Sequence, residues 1–200
     1  MTDPFQPDRF SGQDKTRPPT SSLRFETPVE LYLAVPEINE LTQQRPRPGE
    51  SGLAFLLRLR ASTTPEEGVT FTAFAAYPQM AIGWGYECIR LMADLLNPNE
   101  RPMMEMVAGW LAQPGTPMRH RVAHDALWAP ARTPSVFLGL AVAWSGGGIA
   151  PNDTASPPLH RTPRAVNSAV LSCLARADLN RRPILLARFI DMAEPMFRVY

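Results

Sequence analysis

Apolar residues recur at helical spacing along most of this chain. Met80, Trp84, Cys88, Leu91 and Leu95 follow one another at steps of four, four, three and four residues. Residues at these steps share one face of an α-helix, whereas a half-buried strand alternates apolar and polar residues at every second position. The spacing therefore predicts an amphipathic helix here, and similar spacing predicts helices in the stretches that follow.

The pattern as a whole predicts an all-α fold with about eight to nine helices. Two short apolar stretches, 53–59 and 69–74, are compatible with strands, and the second contains Val, Thr and Phe, which favour sheets. No stretch shows sustained strand alternation. Helices are predicted over residues 28–43, 50–61, 65–76, 78–96, 98–112, 117–129, 134–144, 163–177 and 183–194.

Six Thr-Pro or Asn-Pro pairs mark the starts of predicted helices. Thr or Asn at the N-cap accepts a hydrogen bond from a backbone N–H that would otherwise lack a partner, and proline suits the first helical position. Three of the pairs are followed by a glutamate that completes a capping box. The predicted N-caps are Thr27, Thr64, Asn97, Thr116, Thr133 and Thr162, with Glu30, Glu67 and Glu100 as the glutamates.

The spacing of the predicted caps leaves two architectures open. Thr27, Thr64, Asn97 and Thr133 are separated by 37, 33 and 36 residues, and each interval holds two predicted helices. That length is typical of helical-hairpin repeats, although the side chains themselves do not repeat. The fold is therefore either a multi-helix bundle or a short, irregular helical-hairpin array of the HEAT or TPR kind.

Composition divides the chain into a tail and a domain. Residues 1–26 are rich in Pro, Ser, Thr, Asp and Gln without periodicity, which predicts a disordered N-terminal tail. Residues 27–200 are predicted to form a single helical domain. The net charge is +1 and the only lysine, Lys15, lies in the tail. We therefore expect no nucleic-acid partner, because no excess positive charge attracts one.

The cysteines and the apolar runs favour a cytoplasmic protein. Cys88 and Cys173 form no paired motif, and each lies in an apolar helical stripe, so both are predicted to be buried and reduced. The N-terminus lacks the apolar core of a signal peptide. The longest apolar run, 136–144, is far too short to span a bilayer, so no membrane insertion is expected.

Two histidines at helical spacing suggest metal chemistry, but the rest of the motif is missing. His120 and His124 are four residues apart, as in a zinc-protease helix, yet Arg121 replaces the required glutamate and no third ligand is apparent. Trp128 continues the same face. We therefore predict a partly buried His-His-Trp seam, with no metal and no cofactor.

Ser145 permits a catalytic interpretation. The run AWSGG around it resembles a degenerate nucleophile elbow, which would require a strand before the serine and a helix after it. A small serine hydrolase using Ser145 with His120, His124 or His160 as the base is the alternative function. The preceding residues are predicted to be helical, so the glycines more simply end that helix in a left-handed conformation.

Three runs carry a resemblance to a known family: Trp84 to Cys88 (WGYEC), Ala143 to Pro151 (AWSGGGIAP), and Pro157-Pro158 with Thr162 to Val166 (TPRAV). On these runs, residues 80–195 resemble an uncharacterised bacterial family known only as a domain of unknown function. The resemblance implies a bacterial helical protein associated with gene clusters of contractile (type VI) secretion systems. It implies no activity and no catalytic residues, and it does not extend to the first 75 residues.

Helical hairpins without a catalytic signature favour binding over catalysis. The predicted function is a non-enzymatic adaptor, chaperone or accessory component of a bacterial assembly, with a protein partner whose identity the sequence leaves open, as it does the oligomeric state. Residues 145–161 form the longest irregular stretch outside the tail, and its prolines restrict the chain before binding. The predicted binding residues are Trp144, Ser145, Gly146, Gly147, Ile149, Pro151 and Leu159.

Overall fold

The computed structural model describes residues 22–150 and 152–198. Within those ranges the chain forms nine α-helices and no β-strand, which confirms the predicted all-α fold. Each predicted helix corresponds to one observed helix, and the two stretches compatible with strands are both helical. The helices are α1 (Pro28–Ala34), α2 (Gly52–Arg60), α3 (Glu67–Ala75), α4 (Pro78–Arg90), α5 (Arg101–Ala112), α6 (Thr116–Leu127), α7 (Pro134–Ala143), α8 (Arg161–Leu174) and α9 (Arg182–Phe197).

Two helices are shorter than predicted. The first ends at Ala34 instead of residue 43, because Val35 precedes Pro36 and takes φ −131° and ψ 73°, outside the helical region. A 3₁₀ turn, Pro36–Glu40, follows it. The fourth ends at Arg90 instead of residue 96 and is followed by another 3₁₀ turn, Ala93–Leu95. Both predictions extended an apolar spacing through a break in the backbone.

Some of the predicted start signals act as caps. The hydroxyls of Thr27 and Thr133 accept the backbone N–H three residues on, at 3.2 and 3.4 Å. At Asn97 the capping-box glutamate is in place, since Glu100 accepts the Asn97 N–H at 2.9 Å. These signals were interpreted correctly because proline fixes the next residue in a helix-compatible conformation.

Three start signals were misplaced by one or two residues. Thr116 is the first residue of α6, and Gly115 is its N-cap. Thr162 lies inside the first turn of α8, which begins at Arg161. Thr64 opens the turn before α3, but its hydroxyl donates to the Glu67 carboxylate at 2.8 Å instead of capping the helix. A Thr-Pro pair fits the first helical turn as well as the cap, so the sequence pair alone does not fix the register.

Two helices, α3 and α7, lie at the centre of the core and have almost no solvent-exposed face. All nine residues of α3 are buried, and all of α7 is buried except Phe137. The remaining helices are amphipathic and pack their apolar faces around these two. α8 packs against α3, α4 and α7, and α7 also packs against α5 and α6. Burial of these large apolar surfaces is the main stabilising term of the fold.

The helix contacts distinguish a bundle from a repeat array. In an array each unit contacts only its sequence neighbours. Here α2 packs against α9 and α3 packs against α8, which are far apart in sequence. Of the two predicted architectures, the described helices form the bundle, and the near-regular cap spacing does not reflect a structural repeat.

The described chain begins with a short extended segment that pairs with the backbone between α3 and α4. Leu23 forms an antiparallel bridge with Ala76, flanked by the Arg24 N–H donating to the Ala75 carbonyl at 2.8 Å and the Tyr77 N–H donating to the Ser22 carbonyl at 2.9 Å. The predicted tail, 1–26, therefore includes five described residues that pair with the domain. Its other residues, 1–21, lie outside the described ranges.

Both cysteines are buried free thiols, as predicted. Burial raises the pKa of Cys88 well above its usual value and that of Cys173 to about 11. Thiolate is the reactive form, so neither side chain is suited to redox or nucleophilic chemistry. None of the described helices is long and apolar enough to cross a membrane.

Candidate functional site

The predicted binding segment starts where α7 ends, and this helix end is tightly capped. The Trp144 N–H donates to the Leu140 carbonyl at 3.1 Å, and the Ser145 hydroxyl donates to the Val142 carbonyl at 2.7 Å. The last carbonyl of the helix, that of Ala143, accepts from Arg119 Nη1 at 3.0 Å. The positive guanidinium interacts favourably with the negative end of the helix dipole, so it stabilises this helix end.

Glycines then turn the chain back on itself. Gly147 has φ +60°, the left-handed conformation predicted for the end of this helix. At Gly148 an added Cβ would lie 1.6 Å from the Asp153 carbonyl oxygen, so no side chain fits there. The Asp153 N–H closes the loop by donating to the Ala150 carbonyl at 3.0 Å. The segment is therefore a compact loop and not a loose connection.

Arg119 joins this loop to α6. Its side chain is buried, and its Nη2 donates to the Gly148 carbonyl at 2.8 Å while Nη1 holds Ala143. His120 Nε2 lies 3.3 Å from the same Gly148 oxygen. Burial lowers the pKa of Arg119 from its usual value. One guanidinium thus fixes both the end of α7 and the path of the loop.

A cavity of about 170 Å³ opens beside the loop. We call it the α7 cavity. Its wall comes from the end of α7, the loop, the first turn of α8, the start of α4 and the extended N-terminal segment. The lining residues are Arg24, Pro78, Trp144, Ser145, Gly146, Gly147, Ser156, Pro157, Pro158, Leu159 and Thr162.

Five of the seven predicted binding residues line the α7 cavity: Trp144, Ser145, Gly146, Gly147 and Leu159. Trp144 packs against the core while bordering the cavity, and Leu159 is 58% exposed.

The other two predicted residues are not among the lining. Ile149 lies apart from the cavity, half-buried, with its N–H donating to Asp153 Oδ2 at 3.4 Å. Pro151 lies outside the described residues.

Two arginines at this site have no acidic partner among the residues that the structure describes. No carboxylate oxygen of the described residues lies within the 4.0 Å ion-pair distance of Arg24 or Arg161. The Arg24 guanidinium donates a long hydrogen bond, 3.4 Å, to the Leu159 carbonyl, and burial lowers the pKa of Arg24. Arg161 lies over the Trp144 ring, 5.6 Å from its centroid.

The indole N–H of Trp144 is also unmatched. Its Nε1 is the single buried side-chain nitrogen or oxygen, among the described residues, without a hydrogen-bond partner. A buried donor without an acceptor costs about 1–3 kcal/mol. By contrast, the buried Trp84 donates its indole N–H to the Phe189 carbonyl at 3.0 Å.

The three histidines are engaged away from Ser145. His120 contacts Arg119 and the Gly148 carbonyl, His124 Nδ1 lies 3.0 Å from Asp125, and His160 Nδ1 lies 2.9 Å from Glu37. The Ser145 hydroxyl donates to a backbone carbonyl instead. Among the described residues the serine–histidine hydrogen bond required by the hydrolase alternative is therefore not formed.

The predicted His-His-Trp seam is wrong. The His124 side chain is largely exposed, and Trp128 is 80% exposed, because α6 ends at Leu127 and Trp128 already belongs to the following turn. The described residues contain no group of three or more His, Cys, Asp or Glu side chains arranged to hold a metal ion.

The family is decided by comparison with known sequence families. The model of a family of unknown function, DUF6931, matches residues 55–197. The chain belongs to the DUF6931 family. The match begins within α2, so the expectation that the first 75 residues show no family resemblance is wrong for residues 55–75. No curated protein and no solved structure matches this DUF6931 member.

This DUF6931 protein has a second surface feature that sequence reasoning missed. A groove of about 470 Å³ lies between the start of α5 and the end of α6, with Met103 and Met106 along it and Trp128 beside them. We call it the Trp128 groove. The helical spacing of His120, His124 and Trp128 predicted that Trp128 continues a face of α6. Spacing alone does not show where α6 ends, so the exposed position of Trp128 beside the groove was not predicted. The proline at position 130, two residues after Trp128, is the signal for that end.

Proposed function

We propose that this protein is a non-enzymatic adaptor, chaperone or accessory component of a bacterial assembly. It acts by holding a protein partner on the 145–161 segment and the α7 cavity. The observation that carries the proposal is an exposed apolar side chain, Leu159, on a loop that Arg119 and the tight turn at Gly148 hold in place. A loop ordered before binding loses little conformational entropy when a partner docks.

The contractile (type VI) secretion system is the assembly that we propose for this role. The basis is the resemblance of the AWSGGGIAP and TPRAV runs to a bacterial family associated with such gene clusters. Both runs fall within the region that belongs to DUF6931. They also contribute to the α7 cavity, through Trp144 to Gly147 and Thr162. Two of the three runs that carry the resemblance thus contribute residues to the proposed binding surface, and the WGYEC run does not.

The test compares two exposed leucines. Leu159→Ser removes the apolar contact on the proposed surface, and Leu179→Ser is the matched control, since Leu179 is 74% exposed and lies outside the cavity. Both variants should unfold within about 0.5 kcal/mol of the wild type, as surface substitutions usually do. Tagged proteins are expressed at native level in the source bacterium, and captured partners are quantified by mass spectrometry.

We expect Leu159→Ser to lose the partners that the wild type and Leu179→Ser both retain, and those partners to include secretion-system components. Equal capture by all three proteins at unchanged stability would contradict the assignment of the surface. Capture that depends on Leu159 but contains no secretion-system component would retain the adaptor role and reject the named assembly.

A further inference from the structure

The α7 cavity presents donors and no acid. Among the described residues its polar side chains are the guanidinium of Arg24, the indole N–H of Trp144 and the hydroxyls of Ser145, Ser156 and Thr162. A guanidinium and an indole N–H only donate hydrogen bonds, and the Ser156 and Thr162 hydroxyls can also donate, whereas the single hydroxyl proton of Ser145 is already donated to the Val142 carbonyl. The lining therefore suits a group that accepts several hydrogen bonds and carries negative charge.

Arg24 is the main positive group of this lining. It is half-buried, its guanidinium donates a long bond to the Leu159 carbonyl, and the guanidinium carbon lies 5.4 Å from the centroid of the Phe25 ring. Partly desolvated charge without an acceptor is costly. Arg161, over the Trp144 ring, adds a second cation beside the cavity.

The end of α7 does not oppose an anion here. Bare carbonyls at a helix C-terminus would repel negative charge. In this protein the Ser145 hydroxyl covers the Val142 carbonyl and the Arg119 guanidinium covers the Ala143 carbonyl. The electrostatic objection to an anion beside this helix end is thus removed by groups of the protein itself.

We propose that the α7 cavity binds a carboxylate of a partner peptide chain. Arg24 forms the charge-assisted hydrogen bonds, and Arg161 supplies additional positive potential. The apolar walls, which include Pro157 and Pro158, enclose the short carbon stem, and a volume of about 170 Å³ suits such a group. This proposal rests on the proposed function, because it names the chemistry that the partner presents at that surface.

Trp144 is the natural reporter of the bound state. Its N–H is buried and has no hydrogen-bond partner among the described residues, so an acceptor reaches it only when the ring or the loop moves. The indole ¹H–¹⁵N resonances of Trp84, Trp110, Trp128 and Trp144 are to be recorded by NMR of the full chain, and the resonance that disappears in Trp144→Phe identifies the reporter. Trp84 is the internal control, because its N–H is already bound to Phe189.

The titration uses three tripeptides with acetylated N-termini. Acetyl-Ala-Ala-Ala carries a free C-terminal carboxylate, acetyl-Ala-Glu-Ala-amide carries a side-chain carboxylate, and acetyl-Ala-Ala-Ala-amide is neutral. We expect at least one acidic peptide to shift the Trp144 resonance saturably in the millimolar range, with Trp84 unmoved and no effect of the neutral peptide. The more effective acidic peptide identifies the source of the carboxylate.

Arg24→Gln should weaken this binding about tenfold or more, because it removes the charge-assisted bonds. Arg161→Gln should weaken it less. Arg90→Gln, which changes an exposed arginine on α4, is the control and should leave binding unchanged. Unchanged Trp84 resonances confirm that each variant is folded.

Three results would overturn the proposal: no Trp144 shift at tens of millimolar acidic peptide, an equal shift with the neutral peptide, or an equal shift with inorganic phosphate at matched ionic strength. The proposed function fails separately, by unchanged partner capture in Leu159→Ser. A partner lost in Leu159→Ser but kept in Arg24→Gln would retain the adaptor role and reject the carboxylate site.

Discussion

The two ends of the α6–α7 helix pair differ in whether their charged side chains have partners of opposite charge. The helices run antiparallel, since Arg119 at the start of α6 bonds Ala143 at the end of α7. At the Trp128 groove, Glu100 is 1% exposed and bound by Arg176 at 2.6 Å and by the Asn97 N–H. At the α7 cavity, Arg24 and Arg161 have no carboxylate partner among the described residues.

The difference is between a buried charge that the protein itself pairs and partly exposed charges that it leaves without a carboxylate partner among the described residues. A carboxylate as buried as Glu100 is tolerated because the protein supplies its partners. Arg24 and Arg161 remain partly or fully exposed, so water partly solvates them until a ligand does. At the groove end the buried carboxylate is paired and an exposed aromatic ring lies beside it, whereas at the cavity end two arginines have no carboxylate partner among the described residues. From this contrast we propose that a charged partner is recognised at the cavity end.

The largest expected effect on the free energy of unfolding is at the Trp128 groove, where the charges are paired. Glu100→Ala leaves Arg176 without its partner and removes the bond to Asn97, which should lower the free energy of unfolding by about 3 kcal/mol. Arg164→Ala is the control, because its bond to Glu40 is exposed and should contribute less than about 1 kcal/mol. Urea denaturation measures both. Similar losses in the two variants would show that the Glu100 pair is not special.

The Glu100–Arg176 pair also makes the free energy of unfolding depend on pH, and the direction of that dependence can be predicted. Burial raises the pKa of Glu100, but the bonds from Arg176 and Asn97 outweigh it, so the pKa lies below the usual 4.5. The stabilisation is therefore complete above pH 4.5 and is lost as pH falls through the folded-state pKa. The stability gap between wild type and Glu100→Ala should narrow below pH 4.5. A constant gap from pH 7 to pH 3 would contradict this.

An intermediate effect is expected at the cavity end. Arg119→Met keeps the buried length of the side chain but leaves the Ala143 and Gly148 carbonyls without their donor, which should cost about 2 kcal/mol. The loop should also lose its fixed path. Hydrogen exchange of residues 145–160 should accelerate in this variant while exchange in α3 stays slow. Unchanged loop exchange would show that Arg119 does not hold the loop.

The smallest effects should come from the exposed side chains at the two ends. Leu159→Ser and Trp128→Ser are each expected to change the free energy of unfolding by no more than about 0.5 kcal/mol. Thermal unfolding of both variants checks this. A large fall in melting temperature for Leu159→Ser would make the leucine a structural residue and weaken the comparison.

Helical spacing and proline-marked starts were sufficient to predict all nine helices. They did not give the exact helix ends where the same local sequence is compatible with two positions. Thr116 and Thr162 precede prolines but lie inside their helices, because Thr-Pro is compatible with either register. Trp128 continued a helical face in sequence, but the helix ends one residue before it.

The candidate site was predictable only in part. The run from Trp144 to Gly147 marked a helix end, and the structure places these residues at a cavity. Arg24 and Arg119 were not predicted, because they approach the loop from 120 and 24 residues away from Trp144 and Ala143, respectively, by contacts that no local pattern encodes. That no described carboxylate lies within ion-pair distance of Arg24 or Arg161 is likewise a property of the assembled bundle.

The central claim, that the cavity end and not the groove end meets the partner, is tested most directly by site-specific photo-crosslinking in the source organism. A benzophenone amino acid replaces Leu159 in one strain and Trp128 in another, since both positions are exposed. We predict a discrete, light-dependent adduct from position 159 and none from position 128. An adduct from position 128 with none from position 159 would contradict the account.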